Sequence, residues 1–209
     1  MGQDLNAIFR NAFDSTEIAE LPERLDRELT ALKTSLEDAR LHDIKNSPER
    51  WLWRWDPSFD PPFDEWLAIG KVNLCGPGSL FLDIGTKAVT LASWVRWREF
   101  ITDVKVQQAM RKIVFQFAKC FNSEVAIYVS DSSSRLGEMA GSMAIEESSI
   151  EEILEFLGQT TEPAVSFNKI CKEATAQAKT PGITDCDGYY LDRFDDFEYN
   201  NDRRPQKTC

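Results

Sequence analysis

Histidine is nearly missing from this chain: among 209 residues there is one, His42. A single imidazole excludes a histidine-rich metal centre and leaves Ser/His or Cys/His catalysis with one candidate base, far from any GxSxG elbow, which is also absent. His42 instead suits the end of a helix, where the dipole favours a cation. Positive charge is scarce as well. Twenty-four Lys and Arg stand against 35 Asp and Glu, a net charge of -11. Binding to a phosphate backbone needs clustered basic residues that release counterions, so nucleic acid is not an expected partner. The five cysteines, at 75, 120, 171, 186 and 209, are odd in number and show neither CxxC nor metal-ligand spacing, so we expect reduced thiols. No apolar run approaches the roughly 18 residues of a membrane span, and the opening MGQDLNAIFRNAF lacks the charged-then-apolar pattern of a signal peptide. The expectation is a cytoplasmic chain with no membrane partner.

What is present is ordinary globular composition, 42% hydrophobic and 28% charged, in a length that fits one domain. Residues 1–20 carry a short amphipathic piece. Leu25, Leu29, Leu32, Leu36 and Ala39 then recur at spacings of four and three, which predicts a helix of about five turns. These make an N-terminal helical segment, residues 1–48. A homo-oligomer formed through the leucine face is conceivable, but two repeats of such a seam suit packing within one chain better. Residues 49–180 form the α/β core, entered through an aromatic and proline-rich loop at 50–67 with Trp51, Trp53, Trp55 and Pro57.

Within that core, Leu80, Leu82 and Ile84 alternate up to a turn at Gly85-Thr86-Lys87, and Val89 and Leu91 continue beyond it, a hairpin pattern. Trp94 to Ile101 reads as a short helical turn. Asp103 is placed to cap a long helix whose apolar face is Val106, Met110, Ile113, Phe117 and Phe121, with Cys120 beside it as a small buried hydrophobe. VAIYVSD, from 125, reads as a strand buried on both faces. Ser148 with Glu151, or Ser149 with Glu152, forms a capping box before Ile150, Ile153, Leu154 and Leu157, and Gly158 supplies the stop. The pattern gives an α+β (or α/β) fold, a single domain in which a small mixed sheet is packed by helices.

Two stretches carry candidate sites. The strand at 125–130 ends in Asp131 and three serines, a place where sheets position ligand loops and where oxygen atoms can hold a divalent ion. Asp131 and Ser133 match the first two positions of a DxSxS metal motif, but Arg135 stands at the third and its charge would oppose a metal. The motif is therefore not carried over, and local turn-making by Asp and Ser explains the run better. An enzyme or ligand-binding site near Asp131, aided by Arg96 or Arg98, is therefore the alternative reading. The second stretch is residues 181–209, an acidic and aromatic C-terminal segment. Asp192, Phe194, Asp195, Asp196 and Phe197 can offer carboxylates and rings to a basic protein surface, with Trp51, Trp53 and Trp55 in support. The same segment from Tyr189 to Phe194 also fits a final edge strand. DCDG, at 185–188, lacks the ligand set of a calcium loop.

In composition and layout the chain resembles the small acidic immunity proteins that neutralise bacterial toxins. That resemblance implies tight inhibition of a basic cognate toxin through the acidic face, with no catalysis, no cofactor and no metal.

Overall fold

The computed structural model describes residues 4–13, 21, 54–55, 71–75, 80–131, 135–158 and 188–194. In chain order these form β1 (Asp4–Arg10), β2 (Arg54–Trp55), β3 (Lys71–Cys75), β4 (Phe81–Gly85), β5 (Ala88–Arg96), α1 (Trp97–Thr102), α2 (Val104–Cys120), β6 (Val125–Ser130), α3 (Arg135–Ile145), α4 (Ile150–Phe156) and β7 (Tyr189–Arg193). The strands make one seven-stranded sheet in the order β2-β3-β4-β5-β1-β6-β7. Every pairing is antiparallel, so the expected mixed sheet is an antiparallel one in an α+β fold.

Side chains alternate across the sheet and feed two cores, one on each face. Leu5, Ala7, Phe9, Ala126 and Tyr128 join Phe100, Met110, Ile113 and Phe117 of α1 and α2. Ile8, Val125, Ile127, Val129 and Leu191 join Ala140, Ala144, Ile153 and Leu154 of α3 and α4. With helices on both sides, β6 is buried at all six positions, which is why its sequence is a continuous apolar run. The hairpin is β4 and β5, turning at Thr86 and Lys87.

Local chemistry sets the helix ends. Asp103 closes α1 and opens α2, its carboxylate accepting the Lys105 and Val106 amides at 2.9 and 3.3 Å. After α2, Asn122 takes a positive φ of 54°, a conformation its short polar side chain tolerates. The Ser149–Glu152 capping box is formed, and Gly158, at φ 80°, ends the turn after α4. Cys120 is buried in the first core.

Two readings change. Residues 4–10, taken as part of a helical segment, are the strand β1 between β5 and β6, where it is bonded on both edges and covered on both faces. The strand before α1 runs to Arg96, so Trp94 lies in β5 and the helix starts at Trp97. The predicted helix at 25–39, His42 and most of the loop at 50–67 lie outside the described residues.

Candidate functional site

On the first face, α2 and β7 run alongside each other with matched spacing. Four helical residues rise about 6 Å and two strand residues about 6.6 Å, so Arg111 and Phe115 meet Asp192 and Phe194 in step. The Arg111 Nε and Nη2 donate to Asp192 Oδ2 and Oδ1 at 2.9 and 2.8 Å, a bidentate pair. Tyr128 Oη donates to Asp192 Oδ2 at 3.0 Å. The guanidinium carbon lies 5.3 Å from the Tyr190 ring centre, and Phe115 meets Phe194 edge-on at 5.1 Å. Phe100 stacks on Tyr128 at 5.1 Å, closing the cluster from α1.

The electrostatics follow from this enclosure. Burial works against the Arg111 charge, but the bonds to Asp192 and its negative charge outweigh it and hold the guanidinium above its ordinary pKa. Burial, then the Asp192 charge, pushes the Tyr128 hydroxyl well above 10. The same two causes push Tyr190 up to about 12. Asp192 is only 5% exposed. Its carboxylate is therefore satisfied inside the fold, which corrects its expected role as a partner-facing acid. Phe194 is half-buried against the same core. Trp55 has its backbone in β2. Trp51, Trp53, Asp195, Asp196 and Phe197 lie outside the described residues.

At the far end of β6, the Asp131 amide donates to the Asp4 carbonyl at 2.7 Å, continuing the β1–β6 ladder by one residue. Arg96 Nη1 donates to Asp4 Oδ1 at 2.6 Å. The Asp4 carboxyl is raised above its ordinary pKa by burial, with Arg96 opposing and the neighbouring Asp131 charge adding to the rise. Arg96 and Asp131 thus each border Asp4, a residue the sequence reading of this corner did not name. Arg98 is exposed on α1. Among the described residues, no group of three or more His, Cys, Asp or Glu is arranged to hold a metal ion. Gly137 presses on this corner: a Cβ there would overlap the Ser130 carbonyl oxygen and come within 2.6 Å of that of Asp131. Glycine lets α3 seat directly on the end of β6.

Beside this corner β5 carries a bulge. Asp4 faces Arg96 and Asn6 faces Ala92, so Leu5 alone opposes Ser93, Trp94 and Val95. Ser93 Oγ fills the gap by donating to the Leu5 carbonyl at 3.0 Å. Ser93 and Val95 turn inward, and Trp94 turns out to 77% exposure, the highest of any large apolar side chain among the described residues. Its sequence signal, a tryptophan followed two residues later by arginine on the same side of a strand, was hidden by reading the segment as helical. Comparison of the chain with protein families, with curated proteins and with solved structures finds no match.

Proposed function

We propose that this protein acts by binding another protein, a basic one, and that Trp94 anchors the contact. The observation that carries the reading is the bulge that presents Trp94 to solvent beside Arg96, Asp4 and Asp131. Covering most of a tryptophan surface of roughly 200 Å², at about 25 cal/mol per Å², is worth about 4 kcal/mol. Tryptophan and arginine are the residues that most often dominate such contacts. A net charge of -11 steers encounter with a positively charged partner, and Asp195, Asp196 and Phe197 extend the acidic, aromatic character along the chain. An immunity-type inhibitor that masks a basic toxin is the biological role that fits this chemistry best.

Affinity capture from the native host, run side by side with the native chain and Trp94→Ala, tests it. The expected result is a stoichiometric basic protein, held less tightly at high salt, whose affinity falls about 30-fold or more with the variant. Equal retention by both chains refutes the assignment of Trp94.

A further inference from the structure

Helices α3 and α4 cover the second face of the sheet and hold three of the five exposed large apolar side chains among the described residues: Met139, Ile145 and Phe156, at 44%, 46% and 40% exposure. Helical spacing puts them there. Gly137, Ala140 and Ala144 recur at three and four and turn to the sheet. Met139 and Met143, one turn apart, are left on the flank of α3, with Glu146 three residues further along the same ridge. On α4 the inward residues are Ile150, Ile153 and Leu154, so Glu152 and Phe156 share a flank in the same way.

Around these side chains the charge has one sign. From residue 136 to 158 the chain carries Glu138, Glu146, Glu147, Glu151, Glu152 and Glu155, all exposed, and no lysine, arginine, histidine or aspartate. Glu151 pairs with Arg10, and Glu152 serves the capping box. Among the described residues, no ion pair holds Glu138, Glu146, Glu147 or Glu155. The turn between the helices keeps an acid where another residue fits better. The Ser148 amide donates to the Met143 carbonyl at 2.9 Å, closing α3 with a Schellman motif whose left-handed residue is Glu147, at φ 68°. Glycine is the usual residue there, and a side chain costs about 1 kcal/mol.

We propose that α3 and α4 seat a basic amphipathic helix of the partner, its apolar side chains against Met139, Met143 and Phe156 and its lysines or arginines against the glutamates. This rests on the protein-binding reading and extends its surface from Trp94. That tryptophan stands on the same face of the sheet, because side chains alternate along β5 from Ala88, which lies in the core beneath α3 and α4, to Trp94 and Arg96. A ridge of side chains at four-residue spacing accepts the ridges of another helix, and methionine repacks against apolar groups of differing shape. Charge decides among the occupants. A second copy of this chain would set six glutamates against six, and an anionic lipid surface is repelled for the same reason. A basic helix is attracted by all of them.

The probe is a synthetic amphipathic peptide, Lys-Leu-Leu-Lys-Lys-Leu-Leu-Lys-Lys-Leu-Leu-Lys, titrated into the full chain with methyl-labelled methionine and followed by nuclear magnetic resonance. In the free protein a neutral gadolinium chelate broadens the Met139 methyl signal, and saturating peptide protects it. Glutamate in place of lysine abolishes binding. The same residues in strict Lys-Leu alternation, a strand pattern, bind about fivefold more weakly or worse. Met139→Gln changes an exposed position, leaves the core intact and weakens the peptide about tenfold. Glu147→Gly relieves the left-handed backbone, raises the urea midpoint and still weakens the peptide about twofold to threefold. A Met139 methyl already shielded in the free chain, no response to the basic peptide, equal response to the acidic or alternating one, or unchanged binding by either variant each overturn the proposal. So does uptake by phosphatidylcholine vesicles, or a concentration-dependent dimer, that is lost with Met139→Gln. Host-partner capture that is lost with Trp94→Ala and unchanged with Met139→Gln overturns this surface and leaves the protein-binding reading in place.

Discussion

Replacing Asp192 by leucine strands a guanidinium that the fold has built itself around. The variant removes two charge-assisted bonds and the acceptor of the Tyr128 hydroxyl. Taking one partner from a buried pair costs about 3–5 kcal/mol, mostly because the remaining charge is left without compensation. The Arg111 side chain is 28% exposed and recovers part of its hydration, which places the loss near the lower end, about 3 kcal/mol. With a urea slope of about 2 kcal/mol per molar, the unfolding midpoint falls by about 1.5 M. Arg111→Met is expected to cost a similar amount. The double variant, Arg111→Met with Asp192→Leu, replaces the pair by apolar side chains and restores most of the stability, leaving a loss of about 1 kcal/mol and hence a coupling energy of about 5 kcal/mol between the two sites. Urea titration followed by circular dichroism measures all four proteins. A midpoint drop under about 0.5 M for Asp192→Leu, or lost partner binding with full stability, would return Asp192 to the surface role that its sequence context suggests.

Alkaline pH offers an independent check on the same cluster. Folded Tyr190 titrates near 12 against an ordinary 10, so its contribution to stability is complete below pH 10 and is lost as pH rises from 10 through 12. The urea midpoint should decline across that window, and Tyr190→Phe should flatten the decline; an unchanged slope contradicts the enclosed hydroxyl. Gly137→Ala forces α3 off the end of β6 and is expected to cost about 3 kcal/mol or more, whereas a loss below 1 kcal/mol would mean that the contact yields easily. Magnesium or calcium titrated by calorimetry should give no saturable heat; saturable binding abolished by Asp131→Ala would replace the partner-binding reading with an ion-dependent site at that corner.

Features encoded by neighbouring residues were legible. Asp103 lies within three residues of the amides it caps, Ser149 and Glu152 form a box of fixed spacing, and the apolar face of α2 repeats at helical intervals. β6 is apolar throughout because helices cover both its faces, and the α+β class follows from these elements. One interior strand of the sheet was not legible. β1 is seven residues long, with Ile8 facing one core and Leu5, Ala7 and Phe9 the other, a pattern too short to separate a strand from a helical turn. The Arg111–Asp192 pair joins positions 81 apart, so nothing local to Asp192 distinguishes it from its acidic neighbours. Trp94 was misplaced for a related reason: a bulge is a mismatch between two strands, so the Trp94–Arg96 spacing within β5 does not by itself reveal it.

The seating of β1 between β5 and β6 also orders events during biosynthesis. Its neighbours are encoded about 80 and 120 residues later, so β1, once synthesised, waits on the order of ten seconds, at about 10 residues per second, before its second edge can be matched. Closure of the sheet is consequently a late and slow event, dominated by distant pairings. A nascent chain halted before residue 125 holds an apolar ribbon with one side still open, which is the state a holding chaperone recognises.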